Sequence, residues 1–166
     1  MTKVLPCDAK EKADSILEEW DDVCNSLGIV HFLVFGTCLG MVRDKGFIRG
    51  DTDIDVGIRK QDFWKLHDHL LKNGFSSTGI LQTPSWIQKH FNPDAIEKIA
   101  WGTHVQFFKY GIILDVWLGL IYDSHHKNFL DSFDTVTYEG REYNVPHPVK
   151  DYLKTKYGEN WRIPLR

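Results

Sequence analysis

Residues 29–58, IVHFLVFGTCLGMVRDKGFIRGDTDIDVGI, decide the fold because they join two strand patterns through a glycine-containing turn. The run 29–35 is short and rich in branched and aromatic side chains, which is typical of a buried strand. In residues 53–58, acids alternate with branched apolar residues, so Asp53 and Asp55 project from one face of a second strand. The stretch therefore predicts a sheet with two neighbouring carboxylates on one face.

The turn between these strands predicts a place for a phosphate group. Thr37 suits the N-cap of a short helix over 37–43, and Gly36 precedes it. The first backbone N–H groups of a helix and the positive end of its dipole hold anions, and glycine lets a ligand approach closely. An ordinary glycine turn capped by threonine explains the same residues, so the turn alone does not decide the function.

The acids of the second strand predict a metal site. Carboxylates two residues apart on a strand repel each other unless a cation neutralises them. Mg²⁺ fits best, with Mn²⁺ as a substitute, because it binds a few carboxylates together with phosphate oxygens. The alternative is the solvated face of an edge strand. A calcium loop is disfavoured, because the spacing of Asp51, Asp53 and Asp55 would then require glycine in place of Val56.

Asp115 is the third acidic candidate because it interrupts the apolar run 112–118. An ionised carboxylate there is unfavourable unless a metal, a cation or a substrate proton accounts for it. We expect a metal ligand or a general base, and the alternative is a structural Asp paired with an Arg or a hydroxyl. His104 lies nearby on a predicted strand, where we expect a structural histidine with satisfied nitrogens, and the alternative is a side chain that faces the site.

The rest of the chain predicts an α+β domain with a mixed sheet. Helices are predicted, from apolar residues at helical spacing, over 8–27, 61–72 and 149–157. Strand patterns around glycine turns predict hairpins over 103–118 and 135–145, and a further strand over 75–82. Signals over 83–102 are mixed, so we expect a loop with at most one short helix there.

Composition limits the class of protein. The chain has 166 residues, 42% of them apolar, and a net charge of −3, which predicts one domain over 1–166 without a basic surface for nucleic acid. No apolar run reaches the ~18 residues that a membrane span needs. Three cysteines without C-x-x-C spacing disfavour a disulfide framework or a structural zinc site, which favours a reducing compartment and predicts a cytoplasmic location.

The turn and the acids together resemble the signature of the LicD/fukutin family of nucleotidyltransferase-fold proteins. Matching residues run through 36–48 and 51–55, continue at Asp115, and end with Tyr157, Gly158, Trp161 and Pro164. The resemblance implies a nucleotidyltransferase-like mixed sheet with flanking helices in a single minimal domain. It covers most of the chain and is weakest over 75–101.

That family moves a phospho-alcohol, such as phosphocholine or ribitol phosphate, from a CDP-linked donor to a hydroxyl of a glycan, and CMP leaves. The resemblance implies that Asp53, Asp55 and Asp115 are catalytic and hold magnesium. It implies donor-phosphate contacts for a second set, which consists of Gly36, Thr37, Arg43 and Lys45. For Arg43, a surface salt bridge is the alternative. Two rivals stay open: a nucleotidyltransferase that uses a nucleoside triphosphate, and a non-catalytic nucleotide-binding module.

Acceptor selection is expected in 83–102 and 125–134, where the sequence patterns are least informative. Trp86 and Trp101 are candidates for stacking on the nucleobase, and a buried structural role is the alternative. His125 and His126 lack a third ligand at recognisable spacing, which favours a solvated loop over a metal site.

Overall fold

The computed structural model describes residues 7–80, 104–118 and 129–165. Within these residues the helices are α1 (Cys7–Ser26), α2 (Phe35–Arg43), α3 (Phe63–Lys72) and α4 (Val149–Tyr157). The strands are β1 (His31–Leu33), β2 (Asp53–Ile58), β3 (Ser76–Ile80), β4 (His104–Lys109), β5 (Ile112–Leu118), β6 (Phe133–Tyr138) and β7 (Arg141–Pro146). A 3₁₀ turn, Lys60–Asp62, leads into α3.

Five strands form one mixed sheet in the order β1-β2-β5-β4-β3. β2 and β5 run parallel, and the other neighbouring pairs are antiparallel. The register places Asp55 opposite Asp115 and His104 opposite Trp117. β6 and β7 form a separate hairpin, which the Asn144 side chain ties to β1 by a hydrogen bond to the His31 carbonyl. The parallel pair therefore brings together acids that lie 60 residues apart in the chain.

The two faces of the central strands have different surroundings. One face belongs to the main core, which also contains side chains of α1 and α3, and its residues are Ile54, Val56, Ile58, Leu114, Val116 and Leu118. The alternate side chains point to the opposite face, where Asp53, Ile113 and Trp117 are only half-buried. α2 contacts β2, and the Thr37 side chain in α2 is hydrogen-bonded to the backbone of Asp55 in β2. The acids therefore lie on the less covered side of the sheet.

The predicted α+β class with a mixed sheet is confirmed, and the predicted elements lie within a few residues of the observed ones. The predicted N-cap at Thr37 is wrong. β1 ends at Leu33, and α2 begins at Phe35 after an extended Val34. The Phe35 N–H donates to the Tyr152 hydroxyl at 3.0 Å, so a distant residue replaces the local cap.

Gly40 allows α2 to pack against the loop that follows it. A Cβ at this position would lie 2.5 Å from the Gly46 carbonyl oxygen and 3.0 Å from the Ile48 nitrogen. Both are backbone atoms, which cannot rotate away as a side-chain end can. The second glycine of the turn motif therefore serves packing of the fold.

Candidate functional site

Three carboxylates converge where β2 and β5 run parallel. Asp53, Asp55 and Asp115 each offer one oxygen, and these oxygens lie within 4.8 Å of one another. Asp53 and Asp55 share a face of β2 because strand side chains alternate, and the register puts Asp115 beside Asp55. Asp55 and Asp115 are buried, whereas Asp53 is half-buried. The sheet thus brings together the three acids that the family resemblance implies as a site.

Asp51 adds a fourth carboxylate beside the start of α2. Its Oδ2 would lie 2.9 Å from a Cβ on residue 36, and Oδ2 of Asp55 would lie 3.4 Å from the same Cβ. The Gly36 N–H donates to Asp55 Oδ2 at 3.3 Å. Gly36 therefore allows the close approach of two carboxylates to the first turn of the helix.

Burial and mutual repulsion raise the pKa values of three of these acids. Burial is the largest cause in each case, and it raises the pKa of Asp55 and of Asp115 to about 6. The pKa of Asp51 rises to about 7 through burial and then through its hydrogen bond and repulsion with Asp53. The Trp117 indole, which donates to Asp55 Oδ1 at 3.1 Å, opposes the shift at Asp55. A bound cation would relieve this concentration of negative charge.

One carboxylate oxygen of Asp115 has the surroundings expected of a metal ligand. A hydrogen bond from the Gln106 side chain lowers the pKa of this carboxyl, yet Oδ1 is buried without a hydrogen-bond partner among the described residues. His104 Nε2 lies 3.9 Å from this oxygen, which is beyond hydrogen-bonding distance. Buried oxygens are normally hydrogen-bonded, and a cluster of carboxylate oxygens suits Mg²⁺ or Mn²⁺. The residues present therefore fit a divalent cation of this class.

Gly36 and Thr37 lie beside the acids, where they orient Asp55. The Thr37 Oγ1 accepts the backbone N–H of Asp55 at 2.8 Å, and the residue is 1% exposed. The Gly36 N–H already donates to the Asp55 carboxylate. Contacts of these two residues with donor phosphates stay a prediction.

The two predicted cationic phosphate ligands lie at the other end of α2. Arg43 donates from Nε and Nη2 to the two carboxylate oxygens of Asp44, both at 2.7 Å. Its Nη1 donates to the Trp161 carbonyl at 3.5 Å. Lys45 Nζ donates to the Val42 carbonyl at 3.2 Å. These contacts do not bring Arg43 or Lys45 to the acids, and their role toward phosphate stays a prediction.

An aromatic group beside the acids was missed by the sequence analysis. The Trp117 ring stacks on His104 at 4.4 Å between centroids and meets Phe35 edge-on at 4.6 Å. The strand period could have found Trp117, because it shares the face of Asp115 two residues earlier. The prediction of a satisfied structural histidine is wrong, because His104 Nδ1 is buried without a partner among the described residues.

Several predictions fall outside the described residues. These are the loop over 83–102 with Trp86 and Trp101, and the pair His125 and His126. Of the expected acceptor segment 125–134, only 129–134 is described. Within the described parts of the chain, no helix has the length and apolar character needed to cross a bilayer.

Comparison with known proteins identifies similar chains. The chain is 27% identical to ribitol-5-phosphate transferase FKTN of Mus musculus, over 95% of this chain and 34% of that protein. The Homo sapiens protein of the same name is 26% identical with the same coverage. An uncharacterised protein of Caenorhabditis elegans is 29% identical over 77% of this chain and 31% of its own length. The chain thus spans about a third of the length of these relatives.

A family model described as LicD/FKTN/FKRP, nucleotidyltransferase domain, matches residues 28–148. The match runs from Gly28, two residues after the end of α1, to Pro148, the residue before α4, and it includes the entire mixed sheet. It also includes Asp53, Asp55 and Asp115. Because the match covers well over half of the chain, this protein belongs to the LicD/FKTN/FKRP nucleotidyltransferase-domain family.

Proposed function

We propose that this chain is a transferase that depends on Mg²⁺ or Mn²⁺. Its substrates are a CDP-linked phospho-alcohol and a hydroxyl of a glycan or a related acceptor, and CMP is released. The observation that carries the proposal is the convergence of Asp53, Asp55 and Asp115, with a buried Asp115 oxygen left unpartnered by the described residues. Family membership and the name of the FKTN relatives support the choice of donor.

In the proposed reaction, the acceptor oxygen attacks the donor phosphorus that carries the alcohol. A new P–O bond forms to the acceptor, the bond from that phosphorus to the bridging oxygen breaks, and CMP leaves with that oxygen. The hydroxyl proton passes to a carboxylate of the cluster, and Asp115 stays a candidate both for this role and for metal binding. A divalent cation held by Asp53, Asp55 and Asp115 would neutralise charge on the diphosphate.

The residues around Asp55 hold its carboxylate in place before any ligand binds. Trp117 Nε1 donates to Oδ1, and the Gly36 N–H donates to Oδ2. The backbone N–H of Asp55 donates to Thr37 Oγ1, which fixes β2 to the start of α2. Such contacts orient a ligand group and reduce the reorganisation that cation binding requires. We therefore assign these neighbours a positioning role.

The test is a panel of donors incubated with the protein, with either Mg²⁺ or EDTA present. CDP-ribitol, CDP-choline and CTP are supplied with small alditols as acceptors, and nucleotide products are separated by chromatography. The proposal predicts CMP from a CDP-alcohol in the presence of Mg²⁺ and not with EDTA. Pyrophosphate from CTP would instead support a nucleotidyltransferase. Nucleotide binding without any product would support a non-catalytic module.

Gly36→Ala should weaken divalent-cation binding without unfolding the protein. The added Cβ would lie 2.9 Å from Asp51 Oδ2 and 3.4 Å from Asp55 Oδ2, so the carboxylates must move. Alanine also favours a helix over glycine by up to about 1 kcal/mol. We expect a loss of Mg²⁺ affinity of about tenfold or more, in calorimetric titrations, with little change in Tm.

Gly40→Ala is the matched control for this prediction. Its Cβ would meet the Gly46 carbonyl at 2.5 Å, so this variant should lower Tm instead. If Gly36→Ala destabilised the fold as Gly40→Ala does, while cation affinity stayed at the wild-type value, the assigned role of Gly36 would be wrong.

Cys24 and Cys38 are buried free thiols in the structure. Three expectations stay predictions. They are the cytoplasmic location, which was predicted from the cysteine pattern, the glycan acceptor, and the organisation as a single domain.

A further inference from the structure

A cavity of about 280 Å³ lies between α2 and the segment that follows α4. Its walls include Leu39, Arg43, Tyr157, Asn160, Trp161 and Ile163, and we name it the C-terminal pocket. Tyr157 and Ile163 are exposed, with 42% and 65% of their surface accessible, whereas Trp161 is buried. The pocket therefore offers aromatic and aliphatic surface that neighbouring residues of the described chain leave accessible.

The C-terminal pocket lies along α2, the helix whose first turn contacts the acidic cluster. Leu39 follows Gly36 by three residues in α2, which is about 4.5 Å along the helix axis. α4 is fixed to the start of α2 by the hydrogen bond between Tyr152 and the Phe35 N–H. Partial burial of Tyr157, together with the charges of Asp55 and Asp51, raises its pKa to about 12. The pocket therefore extends along α2 from the turn next to Gly36, and its Tyr157 wall is close enough to Asp51 and Asp55 for their charges to act on it.

The chemistry of the walls suits a planar, partly polar ring. The exposed ring of Tyr157 offers a stacking surface, and Leu39 and Ile163 offer apolar contacts. Asn160 is exposed at the wall, and its carboxamide has one acceptor oxygen and two N–H donors. A carboxamide can accept from the amino group of cytosine and donate to the adjacent ring nitrogen. The same carboxamide, rotated so that its oxygen and nitrogen exchange places, matches the edge of uracil, so Asn160 can hydrogen-bond either pyrimidine.

The geometry of the proposed reaction separates the acceptor from the leaving CMP. Attacking and leaving oxygens lie roughly in line across the phosphorus in phosphoryl transfer, so the acceptor and CMP occupy opposite sides. On one side of Asp55 lie α2 and the C-terminal pocket. On the other side lie β5 and β4, with Trp117 and His104. The side that holds the C-terminal pocket is the better place for the nucleoside, because it offers stacking and apolar surface.

We propose that the C-terminal pocket binds the cytidine part of the donor, with the base stacked on Tyr157 and its edge hydrogen-bonded to Asn160. This inference rests on the proposed function, because it places the leaving group of that reaction. The alcohol and the acceptor then lie on the sheet face that carries Trp117 and His104.

The test is calorimetric titration of CMP, UMP and inorganic pyrophosphate into the full chain with Mg²⁺ present. We expect Asn160→Ala to lower CMP affinity about tenfold. Tyr157→Ala should lower affinity for both nucleotides, and Tyr157→Phe should restore it because the ring is retained. Binding of pyrophosphate should stay at the wild-type value in all three variants, and Tm should confirm that each is folded.

Wild-type CMP affinity in Asn160→Ala and Tyr157→Ala would overturn the inference. So would an equal loss of CMP and pyrophosphate binding, since that would indicate general damage to the site. Failure of the proposed function is a different result. A chain that binds CMP through Tyr157 and Asn160 but releases no CMP from any CDP-alcohol would support the pocket and contradict the transferase.

Discussion

Asp115→Asn is expected to abolish most of the proposed transfer and, at neutral pH without metal, to stabilise the fold. Asp115 is 5% exposed, and burial raises its pKa to about 6. At pH 7.5 the folded protein therefore holds an ionised carboxylate beside other acids, with Oδ1 unpartnered in the described structure. Asparagine has nearly the same shape without the charge, so this repulsion disappears.

The same substitution removes a proposed cation ligand. Loss of one group that stabilises charge in a transition state typically costs roughly 10²- to 10³-fold in rate. We expect a loss of CMP release of that size. In EDTA at pH 7.5, we expect Tm to rise by several degrees, on the order of 3 °C for each kcal/mol gained.

Asp134→Asn is the control, for which we expect the opposite change in Tm. Asp134 accepts the Val149 N–H at 2.9 Å and pairs with His147, and these contacts lower its pKa. Its removal should lower Tm. A wild-type rate of transfer in Asp115→Asn would contradict the role of Asp115, and a lower Tm in EDTA would contradict the electrostatic account.

The effect of Mg²⁺ on thermal stability should depend strongly on pH. Acids with pKa values raised on folding keep protons that the unfolded chain loses above about pH 4. Their contribution to stability therefore falls as pH rises toward 6 for Asp55 and Asp115, and toward 7 for Asp51. Above that range the carboxylates are ionised, which is the state that a cation binds.

We therefore expect a small Mg²⁺-dependent rise in Tm at pH 5 and a large one at pH 7.5. At a concentration 100 times its Kd, a ligand stabilises the fold by about 2.7 kcal/mol, or a Tm rise of roughly 5–10 °C for a protein of this size. Scanning calorimetry at both pH values measures the difference. Asp53→Asn should remove it, and an equal Mg²⁺ effect at the two pH values would exclude these acids as its source.

The individual acids of the cluster were predictable because their positions depend on short-range strand geometry. The alternation of acids and branched residues at 53–58 placed Asp53 and Asp55 on one face, and an acid within the apolar run 112–118 marked Asp115. Their meeting required the parallel pairing of β2 with β5, which the individual patterns do not specify. The family resemblance was the source of that expectation.

The start of α2 was not predictable from local patterns, because its partner is distant. Tyr152 accepts the Phe35 N–H across 117 residues, which removes the need for a cap at Thr37. Thr37 is consequently available to accept the Asp55 N–H. The C-terminal pocket depends in the same way on how the segment after α4 packs against α2. Local periodicity contains no information about such contacts.

Calorimetric titration of CDP-ribitol and CDP-choline into the wild-type chain and Asp53→Asn, with Mg²⁺ or EDTA, tests the central claim most directly. Asp53 belongs to the carboxylate cluster and is half-buried, so its replacement leaves the core intact. We predict that a CDP-alcohol binds the wild type with Mg²⁺ only, and that Asp53→Asn does not bind it under either condition. Binding that is equally tight in EDTA, or that persists in Asp53→Asn, would contradict a cation-dependent donor site at these acids.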